Sequence, residues 1–112
     1  MPAAVKRSRQ PRPAAIFAAL GDETRLALVR RLSADGPQSI AHLCRGASIT
    51  RQAVTKHLRV LEGAGIACGK RSGRERVWEL EAAPFGVARD WLEGISAQWD
   101  NALERLKAFV EN

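Results

Sequence analysis

The sequence has few cysteines and no long apolar run, and both shortages limit the kind of protein it encodes. Only two of its 112 residues are cysteine, Cys44 and Cys68, which are too few for a disulfide framework. No apolar run approaches the roughly 18 residues of a transmembrane helix, and none of signal-peptide type follows the basic N-terminus. We therefore expect a cytoplasmic protein with reduced, buried thiols and no membrane partner.

Residue sets suited to catalysis are missing as well. The sequence offers no Ser/His/Asp set, carboxylate pair or phosphate-binding glycine loop that is placed to work. Gly63 and Gly65 are better explained as the end of a helix. We therefore expect no enzyme activity and no cofactor.

The formal net charge is +6, and it is distributed unevenly along the chain. Residues 1–13 carry 4 basic side chains and no acid, and residues 14–76 carry 11 basic and 5 acidic side chains. Residues 77–112 reverse the balance, with 3 basic and 7 acidic side chains. The basic part predicts a polyanionic partner, and the acidic end predicts a different task.

The order of helical and strand-like segments predicts a mainly α fold with a small β-hairpin (α+β), in the order α-α-α-α-β-β-α. We expect residues 1–13 to form a disordered basic arm before a single domain of residues 14–112. Four helices are predicted from "PAAIFAALG", "DETRLALVRRLSADGP", "IAHLCRG" and "TRQAVTKHLRVLEGAG", with Asp22, Ser39 and Thr50 as N-caps. "IACGKR" and "ERVWELE" predict two strands joined at Ser72-Gly73, and a long helix follows over residues 84–110.

The fourth helix separates an apolar face from a face of hydrogen-bond donors. On a wheel of about 100° per residue, the apolar face contains Val54, Leu58 and Leu61, with His57 at its edge. The opposite face has no acid in its first two turns, and its members are Arg51, Gln52, Thr55, Lys56 and Arg59. Arg and Lys can donate to guanine, Gln can pair with adenine, and a Thr methyl can touch that of thymine. The segment therefore indicates a helix-turn-helix whose second helix, capped by Thr50, enters the major groove; the alternative is an ordinary solvated face.

The predicted hairpin is basic around its turn. Its cations are Lys70, Arg71, Arg74 and Arg76. A basic hairpin directly after a recognition helix would lie over the phosphates beside the groove. The alternative is an edge hairpin kept soluble by its charge, and this segment alone does not decide between the two.

The long last helix carries an apolar stripe in alternating steps of three and four residues. At roughly 26 residues it would be about 39 Å long, more than a small domain covers by itself. We expect it to pack on a second copy of the chain, together with the first helix. The alternative is a helix that folds back wholly on its own domain. The predicted interface residues are Ile16, Phe17, Trp91, Leu92, Ile95, Trp99, Leu103 and Leu106.

The combination of these segments resembles the ArsR/SmtB family of winged-helix repressors. The resemblance is carried by "LGDETRLALVRRL", "ITRQAVTKHLRVLEGAGI" and "SGRERVWEL" and covers about residues 14–110. It implies a homodimeric winged helix-turn-helix that binds double-stranded operator DNA, usually at its own promoter. It also implies that Thr50, Arg51, Gln52, Thr55 and Lys56 meet DNA, with the four hairpin cations on the wing. The remaining alternative is a protein-interaction module that has kept the winged helix without operator binding.

The metal sites of many family members are not matched here. Ser39 and Ala41 stand where the resemblance places a Cys-x-Cys pair, and the last helix has no histidine. The scattered soft ligands His42, Cys44, His57 and Cys68 are better explained as core residues than as a zinc site. A thiol switch would need an exposed, activated cysteine, which adjacent Arg45 does not provide for Cys44. The last helix resembles a metal-independent branch of the family, and the sequence identifies no effector.

Overall fold

The computed structural model describes residues 12–46 and 48–111, and these ranges contain five helices and three strands. The helices are α1 (Pro13–Leu20), α2 (Glu23–Asp35), α3 (Ile40–Cys44), α4 (Arg51–Gly63) and α5 (Ala82–Glu111). The strands are β1 (Gln38–Ser39), β2 (Ala67–Ser72) and β3 (Glu75–Leu80). The predicted mainly α fold with a β-hairpin is confirmed. Of the predicted arm, residues 1–11 lie outside the described residues, and Pro13 already belongs to α1.

The predicted element order is wrong in one respect, because it lacks β1. Gln38 and Ser39 pair antiparallel with Trp78 and Val77, so the sheet has the order β1-β3-β2. Two residues are too few for a period-two pattern. Ser39 was expected only as the cap of α3, and it also fills that role by accepting a hydrogen bond from the backbone N–H of His42.

The hairpin and the long helix differ from expectation only at their ends. β2 and β3 pair from Ala67 opposite Leu80 to Ser72 opposite Glu75, around a turn in which Gly73 has φ of 63°. That positive φ is the left-handed conformation that glycine adopts without steric cost. α5 begins at Ala82, two residues before the predicted start, and Pro84 is tolerated there because its missing N–H falls in the first turn.

The core lies where α1, α2, α3, α4 and the sheet meet. α4 contributes Val54, Leu58 and Leu61, each fully buried, so its predicted apolar face is confirmed. Burying each such side chain stabilises the fold by about 1.5–3 kcal/mol. Trp78 of β3 is the largest fully buried side chain and belongs to the same core. The outward face of α4 is therefore held at a fixed angle to the rest of the domain.

α5 packs on the domain only near its start. Pro84 and Ala88 are its buried residues, and the Trp91 ring meets Phe17 of α1 edge to face with centroids 5.4 Å apart. Farther along, apolar side chains are exposed, with Trp99 at 65% and Leu103 at 57%. The alternative in which this helix folds back wholly on its own domain is therefore wrong for the described residues. No helix within residues 12–46 and 48–111 combines the length and apolarity needed to cross a membrane.

Candidate nucleic-acid interface

The beginning of α4 forms the centre of the candidate interface. Thr50 has extended backbone angles, and its hydroxyl accepts a hydrogen bond of 3.0 Å from the backbone N–H of Ala53. This contact satisfies one of the free donors at the helix start. Arg51, Gln52 and Lys56 point into solvent from the first two turns. The sequence prediction of Thr50 as the cap is confirmed by this geometry.

The exposed face of α4 is free of carboxylates at its N-terminal end. The first turn holds no acid, and within the described ranges neither Arg51 nor Lys56 pairs with a carboxylate. The hydroxyl of Thr55 donates to the carbonyl of Arg51 at 2.9 Å, which leaves its methyl group as the free part of the side chain. The surface thus offers donors, positive charge and a methyl group to an outside partner.

Two contacts that the sequence did not reveal hold α4 in place. The first is made by Arg31 of α2, whose guanidinium donates to the carbonyls of Leu43 at 2.6 Å and His42 at 3.0 Å. These carbonyls lie at the C-terminal end of α3, where few backbone donors remain. The carbonyl of His42 also accepts from the backbone N–H of Arg45 at 3.2 Å. Arg31 therefore fixes the end of α3 from which the chain turns toward α4.

The second contact involves His57 of α4. Its Nδ1 atom lies 3.3 Å from Nη1 of Arg25 and 3.9 Å from the carboxylate of Asp22. Since an arginine only donates, Nδ1 acts as the acceptor. The backbone N–H of Arg25 hydrogen-bonds to Asp22, and this bond is the main reason that the pKa of the carboxyl lies below its usual value. His57 thus connects α4 to the start of α2, as a packing residue with a polar edge.

The C-terminal end of α4 contacts the β2–β3 hairpin, which we call the wing, through charged side chains. Glu62 accepts from Arg59 at 3.2 Å and lies 3.9 Å from Arg76 of β3. Both guanidinium groups lie over the ring of Trp78, at 5.9 Å for Arg59 and 5.5 Å for Arg76. These two predicted DNA contacts are therefore already engaged with a carboxylate and an aromatic ring.

The remaining wing cations fall into two kinds. Lys70 pairs with Glu79 at 2.5 Å, and this hydrogen bond raises the pKa of the lysine. Arg71 and Arg74 are exposed and have no carboxylate partner within residues 12–46 and 48–111. Arg74 stands in the turn between β2 and β3, next to Gly73.

The residues predicted to form the interface between copies differ in their exposure. Ile16 has 0% exposure in the core of its own chain, because the inner face of α1 packs against its own domain. Its assignment to a contact between copies is therefore wrong. Phe17 is half-buried against Trp91, and Ile95 is half-buried. The other predicted members are exposed along α5, namely Trp91, Leu92, Trp99, Leu103 and Leu106.

The cysteines and histidines do not lie as deep as the sequence suggested. Cys44 and Cys68 are free thiols and only partly buried, and His42 is exposed. The expectation of core positions was wrong for His42, because α3 is short and turns that side toward solvent. In the part of the chain that the structure describes, no three His, Cys, Asp or Glu side chains group as metal ligands.

Comparisons with known proteins point to one family. A family of sequences described as a helix-turn-helix domain matches residues 20–67. The HTH-type transcriptional regulator Rv2034 of Mycobacterium tuberculosis is 36% identical over 100 residues, covering 89% of this chain and 90% of that protein. The arsenical resistance operon repressor of Escherichia coli is 28% identical over 101 residues, covering 89% and 83% respectively. Among solved structures, an ArsR-like transcriptional regulator from Rhodococcus sp. RHA1 superposes with a TM-score of 0.75 at 34% identity, covering 87% of this chain and 91% of that one.

Proposed function

The chain belongs to the ArsR family of winged helix-turn-helix transcriptional regulators, and we propose that it is a homodimeric repressor that binds an inverted-repeat operator. We propose further that it regulates its own promoter and does not respond to metal ions. The observation that carries the proposal is the exposed, acid-free start of α4 with Arg51, Gln52 and Lys56, where no carboxylate among the described residues pairs with either cation.

Base recognition is assigned to the first two turns of α4. In a helix-turn-helix it is the N-terminal part of the second helix that contacts base edges. Arg51 can donate to O6 and N7 of guanine, and Gln52 can pair with N6 and N7 of adenine. Lys56 adds a cation one turn farther along, and the free methyl of Thr55 suits that of thymine. Thr50 contributes by holding the helix start in shape.

Phosphate contacts are assigned to the wing. Arg71 and Arg74 are exposed, have no acidic partner in the part of the chain that the structure describes, and can each neutralise a phosphate. Lys70 can join them, because an exposed pair such as that with Glu79 contributes little free energy and exchanges readily. These contacts carry no sequence information, so they add affinity for any duplex.

Dimerisation is assigned to α5, with Phe17 beside it. The apolar side chains of the helix from Trp91 onward are too many and too exposed to be left in water. In the proposed two-fold dimer the two copies of α4 lie about 34–36 Å apart, the spacing of helix-turn-helix dimers on successive turns of DNA. That spacing would make the operator an inverted repeat. The exposed apolar side chains of Trp99, Leu103 and Leu106 follow one another at steps of four and three residues, which supports helix packing between copies.

The repressor role and the independence from metal rest on different grounds. One relative is named as the repressor of an arsenical resistance operon, and its name supports repression as the output here. The ligand chemistry differs, because Ser39 and Ala41 cannot supply thiolates and α5 contains no histidine. We therefore expect operator affinity to be the same with zinc, with arsenite and with a chelator.

The experiment that tests the proposal selects duplexes from a random pool with the purified protein. We expect an inverted repeat to emerge, and its affinity should fall steeply as salt rises because bound counterions are released. The selected duplex should lose its higher affinity over a random duplex when Arg51 and Gln52 are both replaced by alanine. If no sequence is enriched at low salt, the protein is better explained as an interaction module that has lost operator binding.

A further inference from the structure

Arg59, Glu62 and Arg76 connect the end of the recognition helix to the wing, and we refer to these three side chains as the wing clamp. We infer that the wing clamp sets the position of the wing, and that Arg59 and Arg76 are positioning residues and not phosphate contacts. The inference deepens the proposed function and rests on it. It reverses the assignment that the sequence suggested for these two arginines.

Glu62 is the centre of the clamp. It is the only acid in α4, and it stands at the end of the helix farthest from the proposed base contacts. Its Oε1 atom accepts from Arg59 on the same helix, and its Oε2 atom lies 3.9 Å from Arg76 on β3. One carboxylate therefore joins two elements whose relative position the operator must match.

The hairpin provides the space in which the Arg76 side chain lies. Gly69 is the register partner of Trp78 across the hairpin. A Cβ atom at Gly69 would lie 2.5 Å from Nε of Arg76 and 3.1 Å from the Trp78 ring. Gly69 is thus required here for space, since its φ is not positive. The absent side chain lets the guanidinium lie against an indole ring that is itself fully buried.

The charges around Arg76 favour this position of its guanidinium. Arg71 stands directly opposite Arg76 in the hairpin register, and like charges at such positions repel. Glu62 offsets that repulsion for Arg76, while the ring of Trp78 attracts both guanidinium groups of the clamp. Arg71 and Arg74 have no such partners in the described residues, so they keep their charge for phosphates.

Salt dependence of operator binding separates positioning from contact. Each lost phosphate contact lowers the slope of log affinity against log salt by about 0.9, so Arg74→Ala should lower it by about 2 in a dimer. Arg76→Ala should weaken operator binding by about 10-fold per subunit, the scale of a lost ion pair and cation–π contact together, and so by up to about 100-fold in a dimer, with an unchanged slope. Arg76→Lys keeps the charge and can keep the pairing with Glu62, so we expect it to weaken operator binding less than Arg76→Ala does, again with an unchanged slope. A slope that falls with Arg76→Ala as it does with Arg74→Ala would overturn the inference.

Coupling within the clamp gives a second test. We expect Glu62→Ala to weaken operator binding and the double variant with Arg76→Ala to be no weaker than either single variant. If Arg76 instead contacts phosphate, removing Glu62 should strengthen binding, because a negative charge near DNA is lost and an arginine is released. Tighter binding by Glu62→Ala therefore contradicts the clamp.

A measurement without DNA tests the wing clamp separately from the proposed operator binding. Amide hydrogen exchange in residues 67–80 should be faster in full-length Glu62→Ala and Arg76→Ala than in wild type, and unchanged in Arg74→Ala. Unchanged exchange in the two clamp variants would remove the inference even if the operator binds as proposed. If exchange is faster in the two clamp variants but the wild-type protein binds no operator, the wing clamp is supported and the proposed function is wrong.

Discussion

The exposed apolar stripe of α5 gives a prediction whose size can be worked out from the structure. Leu103 and Leu106 are 57% and 59% exposed, although they continue the stripe that begins at the buried Ala88. Burying a leucine side chain completely contributes about 1.5–3 kcal/mol. For leucines about half exposed, shortened to alanine, we expect a loss of about 1 kcal/mol each.

A symmetric dimer contains each leucine twice, so four side chains change in the double variant Leu103→Ala/Leu106→Ala. The expected weakening is about 4 kcal/mol, which corresponds to roughly 1,000-fold in the dissociation constant of the dimer. The monomer should stay folded, because both side chains are exposed in it and alanine favours a helix. Asn101→Ala is the matched control, since Asn101 is exposed and lies on the opposite side of the same helix.

Sedimentation velocity over a range of protein concentrations measures the effect. Wild type and Asn101→Ala should sediment as dimers where the double variant sediments as a monomer with unchanged helix content. Two results would refute the reasoning. One is a wild-type protein that stays monomeric at every concentration, and the other is a double variant that dimerises as well as wild type.

Three further predictions concern the contacts that hold the recognition helix. Thr50→Ala removes the cap of α4 and should lower the free energy of unfolding by about 1 kcal/mol in urea titration at fixed protein concentration, whereas Thr50→Ser should not. Arg31→Ala removes the side-chain donor from the carbonyls of Leu43 and His42, of which only that of His42 keeps a backbone donor among the described residues, and should cost about 1–3 kcal/mol in the same titration, with Arg30→Ala, an exposed neighbour, as control. Because the folded-state pKa of Asp22 is lowered, its contribution is present above the usual aspartate pKa and is lost as the pH falls through the folded-state value. Unfolding of wild type and of Asp22→Asn, which still caps the helix, should therefore differ near neutral pH and converge in acid; a constant difference would contradict this reasoning.

The recognition helix could be predicted because its signals are local. A cap residue, an apolar face of Val54, Leu58 and Leu61, and a glycine-rich end all fall within one segment. β1 could not be predicted, since two residues carry no periodic signal and its pairing depends on β3. The long helix was predicted with its ends displaced by one or two residues, because a proline in the first turn does not mark the first residue of a helix.

The location of the candidate site could be predicted from the sequence, but the separate roles of its basic residues could not. Sequence grouped Arg59 and Arg76 with the DNA contacts because both are basic and close to the expected groove. Only the approach of β3 to the end of α4 brings them to one carboxylate and one ring. Ile16 was misassigned for a related reason, since an apolar face does not tell whether it packs on its own core or on a partner.

The central claim is that the start of α4 reads bases, and one binding measurement tests it most directly. The selected operator and its single-base variants would be titrated with wild type, Arg51→Ala, Gln52→Ala and the control Asn101→Ala at one salt concentration. We predict that each of the two α4 variants loses about 1–3 kcal/mol of discrimination at one position of each half-site, while the control matches wild type. If both variants keep the wild-type affinity and the wild-type base preference, α4 is not the recognition helix.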